Sequence, residues 1–161
     1  MSYSILEKWM KMNDLDKESM MKLHDFEDFE HQDFSEAADA LEFIDILHSR
    51  KDSGLVVIDS DYDCDGTMSE RILKAALTKF GFKVASYYPS EHDGYGLTMK
   101  EADHLLEKFP DVATIVTADN GINCKEAIDY LTAKGIHVLV SDHHKGETDK
   151  FPESARVCVN V

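Results

Sequence analysis

Three short segments hold side chains that could do chemistry together: D-S-D-Y-D-C-D-G at residues 59–66, T-A-D-N-G at 117–121 and S-D-H-H at 141–144. The first sets four carboxylates at alternate positions, Asp59, Asp61, Asp63 and Asp65; the others add Asp119, Asp142, His143 and His144. Like charges so close resist ionising together unless each is solvated or meets a cation. Carboxylate oxygens and imidazole nitrogens without a thiolate suit Mn²⁺ or Mg²⁺. Two such ions would relieve the crowding, and a pair about 3.5–4 Å apart can hold a phosphoryl oxygen, lower the pKa of a water and stabilise a leaving oxygen. Hydrolysis of a phosphate ester or anhydride is the reaction class to which this donor set points.

Each cluster also has an ordinary structural explanation, because aspartate at the end of a strand is a common turn former or helix cap. Three in one chain are harder to explain that way. Asn120-Gly121 reads as a tight turn that leaves Asp119 as the functional member. Cys64 reads as a small packed side chain rather than a ligand. Asp59 is the weakest of the four opening aspartates, since its place inside a strand can direct it elsewhere.

The elements that must position these residues follow from the apolar pattern. L-V-V-I-D is a buried-strand run leading into a helix, with Thr67 and Glu70 as a capping box before Ile72, Leu73, Ala76 and Leu77, and Gly81 at its end. F-K-V-A-S-Y-Y is a second strand closed by Pro89. Thr98 and Glu101 cap a helix running to Phe109-Pro110. A-T-I-V-T-A, H-V-L-V and R-V-C-V-N-V are further strands, with a helix over K-E-A-I-D-Y-L-T-A-K-G between the first two. Strands alternating with helices predict an α/β fold with a doubly wound, mostly parallel sheet and helices on both faces. In such a sheet the carboxyl ends of the strands share one rim, so the three clusters converge.

A helical segment precedes this unit. Residues 1–53 carry 14 acidic and 6 basic side chains. Within them F-S-E-A-A-D-A-L-E-F-I-D-I-L-H predicts an amphipathic helix with Ala37, Leu41, Ile44 and Leu47 on one face and Asp33 and Glu36 at its start. The linker is K-D-S-G at 51–54. No apolar stretch approaches the roughly 20 residues that cross a bilayer, and the first residues lack the basic-then-apolar order of a leader. Cys64, Cys124 and Cys158 form no C-x-x-C pair, which fits a reducing, cytoplasmic setting. A net charge of -15 over 161 residues argues against nonspecific attraction to nucleic acid, so such a substrate would be held locally, through metal or a few cations.

D-Y-D-C-D-G, T-A-D-N-G-I and S-D-H-H, in this order and spacing, resemble the first three motifs of the DHH phosphoesterase superfamily, and G-Y-G-L at 94–97 resembles its RecJ-type single-strand exonuclease branch. The resemblance covers about residues 54–161. It implies two Mn²⁺ or Mg²⁺ ions, with Asp61 and Asp63 holding one each and Asp65 a further ligand candidate; which two dominate is left open. It further implies that Asp119 bridges the ions, that His143 ligates metal and that Asp142 orients the imidazole pair. His144 would contact the substrate phosphate or transfer a proton. Lys145, Gly94, Tyr95 and Gly96 are the substrate-binding candidates, although a solvated turn also accounts for Lys145.

The expected activity is metal-dependent phosphodiester hydrolysis on single-stranded DNA or short oligonucleotides. There are departures from the family pattern. Glu91 and His92 stand where RecJ-like proteins tend to carry an arginine, and residues 1–161 include neither the fourth motif nor the smaller C-terminal substrate-binding domain. Either a truncated product or a domain over 54–161 completed by a second chain or subunit is therefore expected, and on its own slow or absent cleavage of long strands. A reduced DHH-type module acting in binding or regulation is the alternative.

Overall fold

Short runs rich in Val, Ile and Thr separated by longer amphipathic stretches leave the chain one economical arrangement, with helices covering both faces of a sheet. The computed structural model describes residues 38–89 and 96–160. In chain order they form α1 (Ala38–Ser49), β1 (Leu55–Ser60), α2 (Cys64–Lys79), β2 (Val84–Tyr87) and α3 (Met99–Lys108). β3 (Val112–Ala118), α4 (Lys125–Ala133), β4 (His137–Asp142) and β5 (Val157–Asn160) follow. The five strands are parallel, in the order β2-β1-β3-β4-β5. The doubly wound α/β expectation holds, with a helix ahead of it. The strand order reverses between β1 and β3, and the crevice above such a reversal is where open α/β sheets bind ligands.

Alternation along the strands divides the core in two. Val57, Ile115, Val138 and Val140 pack against Leu105, Ile128 and Leu131 of α3 and α4. Val56, Ile58, Val116 and Leu139 pack against Phe43, Leu47 and Leu77 of α1 and α2. Removing a Leu or Ile side chain of this kind from water is worth about 1.5–3 kcal/mol. Among the described residues no helix is long and apolar enough to cross a membrane.

Two helix faces differ from the expected ones. In α1 Leu41 and Ile44 are 48% and 60% exposed, while Phe43 and Leu47 enter the core and Ile46 packs at its edge. The sequence offers overlapping apolar stripes there, and the one that buries the aromatic ring wins because Phe contributes the larger area. Ala37, Asp33 and Glu36 lie outside the described residues. α2 does not start at a Thr67–Glu70 box. Asp63 is its N-cap, accepting from Gly66 N–H at 3.2 Å, and Ile72 is 67% exposed. Cys64, at the first turn, is exposed rather than packed. The aspartate-rich segment supplies its own cap one turn earlier, because Asp63 is a better cap than Thr67 and leaves fewer N–H groups unpaired.

Released from capping, Glu70 is buried and accepts hydrogen bonds from Ser86 and from Tyr88 Oη–H, the latter at 2.6 Å. Burial works against its charge, but these hydroxyls, with Lys74 and Arg71, hold its carboxyl below the usual range and fasten α2 to β2. The other caps match the sequence. Gly81, at φ +81°, closes α2, and Thr98 and Glu101 form a complete capping box on α3.

Candidate metal centre

Strand register brings the three clusters level. Ser60 pairs with Ala118 and Ala118 with Ser141, so the next residues, Asp61, Asp119 and Asp142, stand side by side on the carboxyl rim. The ladder continues through Asp61 N–H to the Ala118 carbonyl at 3.3 Å and Asp119 N–H to the Ser141 carbonyl at 2.9 Å. Gly66 is required at the foot of α2, since a Cβ there would stand 2.6 Å from the Asp61 carbonyl oxygen. Gly121, at φ +108°, lets the chain turn away beneath Thr117.

Two sets of donor atoms form at this rim, each with its atoms within 4.8 Å of one another: Asp61, Asp63 and Asp119, and Asp119, His143 and His144. Asp119 belongs to both. Its φ of +64° is left-handed, a conformation costing a non-glycine residue roughly 1 kcal/mol. Its Oδ1 lies 2.9 Å from His143 Nε2, while Oδ2 is buried with no hydrogen-bond partner among the described residues. Burial, then the negative charge of Asp65, raise the Asp119 pKa, with His143 opposing them. Asp61 is buried and accepts from Tyr62 N–H at 2.7 Å; Asp63, exposed, combines its capping bond with a place in the donor set.

Asp65 enters neither set, but with Ser69, Asp119, Ser141, Asp142 and His143 it lines a cavity of about 260 Å³ over the site. Ser69, four residues after Asp65 on α2, was not singled out from the sequence; the helical spacing from Asp65 is the signal that finds it.

Asp142 serves differently. Its carboxylate accepts from the N–H groups of His143, His144 and Ile122 at 2.8, 3.0 and 2.9 Å, and His144 Nδ1 lies 2.7 Å from Oδ1. Burial disfavours its charge, yet the His144 and Ile122 amides together with the His144 ring outweigh that and hold its pKa below the usual range. The hydrogen bond to Asp142 in turn raises the pKa of His144. Asp142 reaches one ring of the pair, that of His144, whereas the His143 ring goes to Asp119. The Ile122 amide is a main-chain donor that no residue-type pattern reveals.

Asp59, as its position in the strand allows, points elsewhere. It is 1% exposed, belongs to neither donor set and accepts from Asn120 Nδ2 at 3.4 Å. Burial, then Glu101, push its carboxyl up to about 8. Lys145 is exposed, and its backbone carbonyl accepts from Asn123 Nδ2 at 3.0 Å. Gly96 is buried at φ +75°, where a Cβ would come within 2.9 Å of Cys124 Sγ. Gly94, Tyr95, Glu91 and His92 lie outside the described residues.

The donor set fits a hard divalent cation. It consists of carboxylate oxygen and imidazole nitrogen, Asp119 Oδ2 has no other use, and the 2.9 Å between Asp119 and His143 matches the spacing of about 3 Å between neighbouring ligands of an octahedral ion.

The chain is 38% identical over 108 residues to the single-stranded-DNA-specific exonuclease RecJ of Haemophilus influenzae, a match covering 66% of this chain and 18% of that protein. Its fold superposes on the crystal structure of RecJ in complex with Mn²⁺ from Thermus thermophilus, with a TM-score of 0.62 and 23% identity over 76% of this chain and 17% of that one. A second structure, exonuclease RecJ bound to manganese, gives a TM-score of 0.60 and 26% identity over 77% of this chain and 30% of that one. The chain thus spans less than a third of each. The sequence profile described as "DHH family, N-terminal domain" matches residues 55–161, which include all three clusters and the strands that carry them, and on that match the chain belongs to the DHH family.

Proposed function

We propose that this chain carries the metal-binding part of a phosphodiester-hydrolysing site that acts on single-stranded DNA or short oligonucleotides. The observation that carries the reading is Asp119, one carboxylate common to two donor sets. Supporting it are the RecJ relatives, named as exonucleases specific for single-stranded DNA, and the manganese bound in both solved RecJ structures. Residues 54–161 form the DHH-type unit in this reading, and 1–53 an acidic segment whose α1 packs on the sheet.

In this reading Asp61, Asp63 and Asp119 would hold one ion and Asp119 and His143 a second, with His144, the third member of that donor set, turned to the substrate by its bond to Asp142, and Asp65 a further ligand candidate from the cavity wall. Ions bound there, Mn²⁺ or Mg²⁺, supply Lewis-acid polarisation of a phosphoryl oxygen and lower the pKa of water. The protein's own part is orientation and proton handling. Asp142 fixes His144 through Nδ1, keeping it charged to higher pH and leaving Nε2 to contact a phosphate oxygen or protonate a leaving group. Gly96, with Gly94 and Tyr95 before it and Lys145 beyond the histidines, is proposed to contact the strand.

The test is Mn²⁺-dependent hydrolysis of a dinucleotide and of end-labelled single strands. Cleavage of the dinucleotide is expected, with long strands cut slowly, and His144→Ala should lower the rate by about 100-fold while leaving metal bound. Metal binding without cleavage of either substrate would favour the binding-module reading.

A further inference from the structure

Asp59 is costly and has no part in the donor sets. It sits on β1 where the alternation of Val57 calls for an apolar residue, is 1% exposed, and has one oxygen, Oδ1, buried with no hydrogen-bond partner. A leucine there would avoid both the desolvation and the repulsion from Glu101. What Asp59 does hold is Asn120.

We propose that Asp59 is a positioning residue: through the side chain of Asn120 it fixes the turn that presents Asp119 to the metal donors. This inference rests on the reading of Asp119 as a ligand. β3 ends at Ala118, and the chain must at once place Asp119 in a left-handed conformation at φ +64° and leave through Gly121 at φ +108°. A turn of that kind is strained at its aspartate and persists only if its neighbours hold it. Asn120 is held at both ends. Thr117 Oγ1–H donates to its main-chain carbonyl at 2.7 Å, and its Nδ2 donates to Asp59 Oδ2 at 3.4 Å. Thr117 and Asp59 are register partners on adjacent strands, so both anchors stand on the rigid sheet beneath the turn. Among the described residues Asn120 Oδ1 is buried without a hydrogen-bond partner, which leaves the amide group of this side chain oriented by Asp59.

The variants are Asp59→Asn, which keeps an oxygen for Asn120 Nδ2, Asp59→Leu, which keeps volume and removes the bond, Asn120→Ala, and the double variant of the last two. Mn²⁺ affinity is read by calorimetry, and exchange of the Asp119 amide by NMR without metal, with the Ile128 amide of α4 as an internal reference. Removing a partner one bond away from a metal ligand typically weakens affinity 10–100-fold. The expected result is a Kd about tenfold higher in Asp59→Leu and in Asn120→Ala, no further loss in the double variant, and recovery to within about threefold of the parent in Asp59→Asn. Exchange at Asp119 should quicken in the same two variants and not at Ile128. Parent-like affinity and Asp119 exchange in Asp59→Leu would overturn the proposal, as would equal losses in Asp59→Leu and Asp59→Asn. Should Asp59→Leu not fold, Asn120→Ala decides alone by the same two readouts. A parent chain that binds no Mn²⁺ defeats the metal-centre reading instead, and Asp119 exchange then decides whether Asp59 holds the turn.

Discussion

Without metal and above pH 8, Asp59→Asn is expected to be more stable than the parent by an amount on the order of 6 kcal/mol, and near pH 4 by almost nothing. Burial first, then Glu101, raise the Asp59 carboxyl from 3.8 to about 8. A carboxyl raised in this way binds its proton more tightly folded than unfolded. The cost of ionising it is absent below the unfolded value near 3.8, grows as pH rises, and is complete above about 8. Asparagine resembles the protonated acid in shape and keeps the bond to Asn120, so it removes the pH dependence without opening a cavity. Urea unfolding in EDTA from pH 4 to 9 should give a parent curve that falls across this window relative to that of the variant. Parallel curves would show that Asp59 ionises in the folded chain as readily as in the unfolded one.

Asp119→Ala is expected to erase stabilisation by Mn²⁺. A ligand that binds only the folded state adds about 2.7 kcal/mol at 100 times its Kd, and loss of the residue common to both donor sets should lower affinity more than 100-fold. Asp65→Ala and Asp59→Ala, outside those sets, should lose less. Metal-free, the order inverts. Asp119→Gly relieves the left-handed strain at φ +64° and a buried carboxylate, and should melt above the parent by roughly 1 kcal/mol of added stability. Thermal melts of these variants with and without Mn²⁺ test both statements. Equal loss of the metal effect in Asp119→Ala and Asp59→Ala would mean that the ligands are wrongly assigned.

Much of this arrangement was legible in the sequence because strand periodicity and chain order carry it. A parallel sheet with clusters at the ends of β1, β3 and β4 has one rim for them to occupy, and register then levels Asp61, Asp119 and Asp142. What was not legible depends on tertiary competition. Whether Phe43 or Ile44 enters the core is decided by the sheet beneath α1. Glu70 reads as a capping residue in sequence because its partners, Ser86 of β2 and Tyr88 just past it, arrive 16 and 18 residues later. The Ile122 amide on Asp142 and the left-handed Asp119 belong to the backbone, which residue types describe only indirectly.

The central claim is that one carboxylate, Asp119, joins two metal sites. Mn²⁺ binding to the parent chain, counted by calorimetry and examined by electron paramagnetic resonance on the same samples, tests it most directly. The account predicts two ions per chain with an exchange-coupled spectrum, and loss of the coupling in Asp119→Ala. Saturation at one ion per chain, or two ions with an uncoupled six-line spectrum indifferent to Asp119→Ala, would contradict it.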